Sequence, residues 1–308
     1  IKIIQIIKSL LASASNSFRK KQHPKKYKWQ NWMKKIGFIG GGNMAFAIGS
    51  GLISRGIVKS GQVYVSGPNL ENLQRWRDIG VTTSDDNNET LDKSDIIFIC
   101  VKPHILAPCA IHLRNNHVRT LKDKDKLFVS VLAGVNIHDL EENFSFIDGL
   151  KMIRTMPNTP MQVGEGCTVY TPGSYVVQQD LEKVHLMLNS LGIAQQVPES
   201  MIDAATGVSG CGPAFVYTII EAMADGAVKN GVPRQMALQF ATQTILGAAK
   251  TVLVTGKHPA VLRDEVCSPG GATIVGVHEL EKGNLRSTII NAVEKSSQRS
   301  AELGRKGK

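Results

Sequence analysis

The stretch Ile36-Gly-Phe-Ile-Gly-Gly-Gly-Asn-Met-Ala45 constrains the fold of this chain more than any other. Ile36, Phe38 and Ile39 read as a short strand, and the apolar run through Phe46, Ile48, Leu52 and Ile53 to Gly56 reads as a helix. Between them Gly40-x-Gly42-x-x-Ala45 has the spacing of the dinucleotide fingerprint, with Ala in the third place. In that motif the first glycine makes a tight turn, the second lets the backbone approach a pyrophosphate, and the third small residue lets helix and strand pack closely. The expected architecture is an α/β N-terminal Rossmann-type doubly wound domain.

The following segments continue the pattern. A strand over Val63 to Ser66 ends on Ser66-Gly-Pro-Asn69, where a NAD-binding chain usually carries an acid for the ribose 2′-hydroxyl. Without that carboxylate a 2′-phosphate can be held by Ser66, Asn69 and backbone N–H groups, with Arg75 or Arg77 as counter-charges. NADPH is therefore expected, and NADH remains admissible. Asp95 to Val101 is a strand running into Lys102-Pro-His104, and Leu127 to Leu132 is another, running into Ala133-Gly-Val135. Both should end at the carboxyl edge of the sheet, where cofactors sit. Lys102 is a candidate on that ground, whereas His104, following a proline, reads as structural. Ile153 to Pro160 reads as a strand ending in a rigid loop, and strands around Cys167 to Tyr170 and Ala194 to Val197 flank a helix and close the domain.

After Pro198 only helices are expected. A short one runs from Met201 to Val208, and Ser209-Gly-Cys-Gly-Pro213 breaks it. Long ones follow over Ala214 to Lys229 and from Pro233 to Val254, then a short one from Pro259 to Val266 and a last one from Leu285 to Leu303. Their apolar faces exceed what one small bundle can cover, which predicts an all-α C-terminal dimerisation domain. Within it, Ser268-Pro-Gly-Gly-Ala-Thr273 precedes an apolar-periodic run over Ile274, Val275, Val277 and Leu280. A Pro-Gly-Gly loop entering a helix turns unpaired N–H groups toward one point, and the helix dipole adds positive charge there. Such a point suits a carboxylate or phosphate. The expected divisions are 1–32, an N-terminal extension; 33–197, the nucleotide-binding domain; and 198–308, the helical dimerisation and substrate domain.

Charge narrows the partners. Of the formal net +10, eight charges come from residues 1–32, which hold no acid, leaving +2 for everything after. The body gives no case for nucleic acid. The extension places Ile3, Ile4, Ile7, Leu10 and Leu11 at helical spacing among bases and serines, as a mitochondrial presequence would. A cytoplasmic protein is the expectation, and a mitochondrial one the alternative. No run of about 18 apolar residues predicts a membrane span. Five widely spaced cysteines without a C-x-x-C pair suggest neither a disulfide framework nor a zinc site.

With these residues in hand, the chain resembles the pyrroline-5-carboxylate reductase family across residues 34 to 304. The most specific stretch is His258-Pro-Ala-Val-Leu-Arg-Asp-Glu-Val-Cys-Ser-Pro-Gly-Gly-Ala-Thr-Ile274, supported by Val101-Lys-Pro-His104, Met156-Pro-Asn-Thr-Pro160 and Gly207-Val-Ser-Gly-Cys-Gly-Pro213. The resemblance implies reduction of 1-pyrroline-5-carboxylate to L-proline, the last step of proline synthesis, by a homodimer or a decamer of dimers. It implies cofactor phosphates on Gly40, Gly41, Gly42, Asn43 and Met44, and a 2′-phosphate around Ser66 to Asn69 with Asn87 as a further contact. It also implies a nicotinamide side near Val101, Lys102, Pro103, Ala133 and Gly134. The substrate carboxylate falls to Gly271 and Ala272 with Ser268 nearby, and the Thr273 hydroxyl to the ring nitrogen. Cys211 departs from the serine of many members, and Gly256 from the glutamate of some animal ones.

Overall fold

A computed structural model describes residues 34–117 and 126–305, so the expectations for residues 1–32 lie outside the described residues. The described chain divides into two compact units. Of the described residues, the first covers those from 34 to 213 together with 291–305, and the second is Ala214–Ile290.

The first unit is built on one eight-stranded sheet. Its strands are β1 (Ile36–Ile39), β2 (Val63–Ser66), β3 (Thr82–Ser84), β4 (Ile96–Ile99), β5 (Leu127–Ser130), β6 (Lys151–Met156), β7 (Gly166–Pro172) and β8 (Gly192–Gln196), in the order β3-β2-β1-β4-β5-β6-β7-β8. All pairings are parallel except β6 with β7. The central strands β1, β4 and β5 are buried along their whole length, because a parallel sheet in a doubly wound fold is covered on both faces. That is why they read as continuous apolar runs and not as alternations. Helices α1 (Asn43–Ser54), α2 (Leu70–Arg77), α3 (Asn87–Asp92), α4 (Leu106–His117), α5 (Ile137–Asn143) and α6 (Gln178–Asn189) provide the connections. One core cluster holds Phe38, Ile48, Leu52, Trp76 and Phe98, and a second holds Ile97, Leu113, Phe128, Leu140 and Phe144.

The segment expected to break at Ser209–Pro213 does not break. Helix α7 (Ile202–Ala205) passes into a π-helical turn, Thr206–Gly210, and then into α8 (Gly212–Lys229). Cys211 N donates to Thr206 O at 2.9 Å, so the wider ring keeps the chain helical. Gly207 and Gly210 permit close packing there, since an added Cβ would come within 2.2 Å of Ser297 Oγ and 2.9 Å of the Met156 methyl. Pro213 falls in the first turn of α8, where its missing N–H costs nothing.

The compact units are drawn by packing, whereas the division expected at residue 197 follows the kind of element. Residues 199–213 and those from 291 onward pack with the sheet, for an electrostatic reason. Arg154 on β6, 3% exposed, pairs with Glu199 at 3.1 Å and Asp203 at 3.3 Å, and Ser300 Oγ donates to Asp203 at 2.8 Å. Asn158 adds a buried bond from its amide to Ser209 O at 2.9 Å. A change of texture from strands to helices therefore does not mark where compactness ends.

The second unit contains most of α8, with α9 (Arg234–Thr255), α10 (Pro259–Val266), α11 (Ala272–Lys282) and the start of α12 (Leu285–Arg305). Its buried core is three alanines, Ala224, Ala237 and Ala241, with Ile220, Ala227, Val228 and Val232 packed against them. Large apolar side chains stay exposed, among them Phe240 at 54%, Leu246 at 55% and Leu253 at 66%. Leu246 and Leu253 are seven residues apart and share one face of α9. A core of this size cannot offset the entropy of ordering five helices, so the faces need covering by another chain. Leu246→Asp is expected to weaken self-association on the order of tenfold or more, read by sedimentation velocity as a shift toward monomer.

Candidate active site

The register of the parallel strands brings the expected cofactor residues to one edge. Ile39 stands beside Ser66 and Ile99, Ser66 beside Ser84, and Ile99 beside Ser130. The segments that leave these positions, Gly40–Met44, Gly67–Asn69, Val101–Pro103 and Ala133–Gly134, therefore emerge on the carboxyl side of the sheet. The strand order reverses direction on either side of β1, which makes this the topological switch point.

Each glycine of the fingerprint has a separate physical role. Gly40 has φ +101°, and a Cβ there would lie 2.7 Å from Cys100 O. It alone can turn the chain between β1 and α1 while its N–H donates to Ser66 O at 2.8 Å. Gly41 is buried, and a Cβ would press on Val65, Trp76 and Leu73 at 3.2 to 3.4 Å. Gly42 is the N-cap of α1 and accepts from Phe46 N at 3.0 Å; a Cβ there would meet nothing within 4 Å. No side chain caps this helix end, so its first-turn N–H groups and dipole are left for an anion. Ala45 is fully buried against the strand. These features fit a nucleotide diphosphate.

At the end of β2 the arrangement is more specific than the sequence suggested. Ser66 is fully buried, and its hydroxyl donates to Asn87 Oδ1 at 2.7 Å. Asn87 Nδ2 in turn lies 3.7 Å from Cys109 Sγ, whose thiol burial pushes up to about 11. Asp86 caps α3 through Asn88 N at 2.9 Å, and that backbone bond holds its carboxyl below the usual range. Asn69 caps α2 by accepting from Asn72 N at 2.8 Å. Both arginines expected as counter-charges have partners within the chain. Arg77 donates to Thr83 Oγ1 at 2.7 Å, and Arg75 donates to Gly41 O and to Asn43 Oδ1, both at 2.8 Å.

On the other side of the switch point, Val101 is half-buried, and exposed Lys102 precedes a 3-10 turn over Pro103–Ile105 that includes exposed His104. Gly134 is buried with φ +76°, and a Cβ would sit 2.8 Å from Leu303 Cβ. The C-terminal helix thus packs directly on the loop after β5.

The second unit carries the other expected site. Gly270 has φ +65°, Gly271 N donates to Ser268 O at 3.0 Å, and Gly271 is the N-cap of α11 with no side-chain cap. Ser268, Ala272 and Thr273 are exposed around it. The loop therefore ends in unsatisfied N–H groups beside a serine and a threonine hydroxyl, an arrangement for a small carboxylate. Among the described residues no group of His, Cys, Asp and Glu could hold a metal ion.

A doubly wound nucleotide-binding unit and a helical unit bearing an anion loop define the class of the nicotinamide-dependent oxidoreductases. The family model described as pyrroline-5-carboxylate reductase dimerisation matches residues 199–303, and one described as NADP oxidoreductase, coenzyme F420-dependent, matches 35–134. Pyrroline-5-carboxylate reductase 3 of Danio rerio is 44% identical over 274 residues, covering 89% of this chain and 93% of that protein. Pyrroline-5-carboxylate reductase of Arabidopsis thaliana is 42% identical over 270 residues, 87% and 95% of the two chains. The Plasmodium falciparum pyrroline carboxylate reductase crystallised with NADP bound superimposes with TM-score 0.79 at 35% identity, over 88% of this chain and 98% of that one. The chain belongs to the pyrroline-5-carboxylate reductase family.

The glycines separate experimentally. Gly42→Val, whose side chain would enter open space, should keep the melting temperature while nucleotide affinity falls at least tenfold in a fluorescence titration. Gly40→Ala should instead lose about 2 kcal/mol or more of stability in urea unfolding, through its left-handed φ and the contact with Cys100 O.

Proposed function

We infer that this protein reduces 1-pyrroline-5-carboxylate to L-proline with a reduced nicotinamide nucleotide. The observation that carries the reading is the uncapped start of α11 behind Ser268-Pro-Gly-Gly-Ala-Thr273, in a chain that also presents a dinucleotide loop at Gly40–Met44.

When bound, the nicotinamide supplies the hydride that the C=N carbon accepts. The chain's own residues bind and orient. The Ala272 N–H holds the substrate carboxylate and fixes the ring, assisted by Ser268 and by the Gly271 N–H once that turns from Ser268 O to the ligand. The Thr273 hydroxyl hydrogen-bonds the ring nitrogen, which already carries its proton when the hydride reaches the adjacent carbon. No side-chain acid is required, because an imine can take its proton from water before binding.

NADPH is the proposed cofactor over NADH. No carboxylate stands at Ser66–Asn69 to repel a 2′-phosphate, and Asn87 is presented there by the Ser66 hydroxyl. Backbone of Val101–Pro103 and Ala133–Gly134 faces the nicotinamide side. We propose a homodimer through the helical unit, with a decamer of dimers as the larger assembly. The five cysteines are free, which suits a reducing compartment such as the cytoplasm. No helix among the described residues is long and apolar enough to cross a membrane.

The test is substrate-dependent oxidation of NADPH by the purified protein, with proline identified as product and NADH run in parallel. Nucleotide binding without turnover would retire the reductase reading. Thr273→Ala should lower kcat/KM by about 10- to 100-fold, equivalent to about 1 to 3 kcal/mol of hydrogen bonding in the transition state.

A further inference from the structure

Arg75 is half-buried on α2, and its guanidinium carbon stacks 4.6 Å from the centre of the Phe46 ring on α1. Its two terminal nitrogens donate to Gly41 O and Asn43 Oδ1, both at 2.8 Å. Trp76, the next residue, is fully buried and donates its indole N–H to the same Gly41 carbonyl at 3.1 Å. Two donors from one helix thus converge on a single carbonyl of the glycine loop, from 34 and 35 residues away.

This convergence has a geometric consequence. The C=O and N–H of a trans peptide point in opposite directions, so drawing the Gly41 carbonyl toward α2 turns the Gly42 N–H the other way. The space around Gly42 is open. The electrostatics agree with the geometry. Among the described residues no carboxylate pairs with Arg75, and its Nε is buried without an acceptor. A partly buried cation held behind an uncapped helix start has no carboxylate beside it, and a diphosphate on the other side of the loop would supply the counter-charge.

We propose that Arg75, with Trp76, is a positioning residue for the nucleotide's diphosphate. The pair locks the Gly41–Asn43 loop in its anion-binding form and adds one positive charge behind it. The inference rests on the nucleotide-binding half of the function proposed above and not on the identity of the reduced substrate. It assigns Arg75 to the diphosphate, common to NADPH and NADH, and not to the 2′-phosphate that only NADPH carries.

Direct titration of NADPH and NADH into the full-length protein and its variants tests this. Arg75→Met keeps a stem over Phe46 but removes the charge and both hydrogen bonds. It should raise the Kd of both nucleotides by a similar factor, on the order of tenfold. In turnover the nucleotide KM should rise accordingly, while kcat at saturating nucleotide and the KM for 1-pyrroline-5-carboxylate change less than about threefold. Arg75→Lys should recover only part of the loss, because an ammonium cannot reproduce the two-pronged geometry. Should Arg75→Met fail to fold, Trp76→Phe keeps most of the packing and removes the second donor. It should weaken both nucleotides in the same ratio by a smaller factor. Unchanged Kd values in a folded variant would overturn the proposal, and so would a loss confined to NADPH. Wild-type protein that binds nucleotide without reducing the imine would defeat the reductase reading and leave this test intact.

Discussion

The parallel pairing that sets Ile39 beside both Ser66 and Ile99 is the constraint on which the nucleotide-binding unit depends. It aligns the carboxyl ends of β1, β2, β4 and β5, and so delivers four loops to one edge without any of them having to be long. Gly40 then turns the chain at the one position where backbone from β4 crowds it, and α1 starts with its N–H groups unclaimed. The binding capacity of the loop is thus a property of backbone held in place, and the surrounding side chains serve to keep it there.

That support comes largely from α2. Leu73 and Trp76 bury against β1 and the glycine loop, Phe46 packs edge-on to Trp76 at 5.1 Å, and Phe38 lies between Trp76 and Phe98. Helix α2 starts with Asn69 as its cap, so the segment expected near the 2′-phosphate and the residues gripping the phosphate loop belong to one rigid element. A shift of this helix would move Asn69 and the donors on Gly41 O together. The helical unit follows the opposite logic. It keeps a three-alanine core and leaves its larger apolar residues outside, so its stability depends on association.

The π-helical turn at Thr206–Gly210 and the Arg154 cluster join the two kinds of architecture along the chain. Residues of helical texture from Glu199 to Pro213, and the last part of α12, are held to the sheet by a buried guanidinium with two carboxylates. Breaking one partner would strand a charge at a buried site, which is costlier than losing a surface pair. The loop at Gly134 is covered by Leu303, so the last turns of α12 are part of the nucleotide-binding unit's structure.

Much of this was legible in the residues. The strand-glycine-helix order at Ile36–Ser54, the apolar runs of the buried strands and the prolines that open α9 and α10 are local signals, written over a few adjacent positions. The glycine loop ahead of α11 was equally readable, because an uncapped helix start depends on its own few residues. What could not be read were the partners of side chains far apart in sequence. The bond from the Ser66 hydroxyl to Asn87, the grip of Arg75 on Gly41 O and the packing of residues 199–213 on the sheet are of this kind. The sequence by itself determined most of the elements, their order and the two glycine loops that enter uncapped helices, since these follow from backbone preference and periodicity. Only the tertiary structure decided which donor meets which acceptor and where each compact unit ends, because those contacts join residues separated by 20 to 100 positions and are chosen by packing.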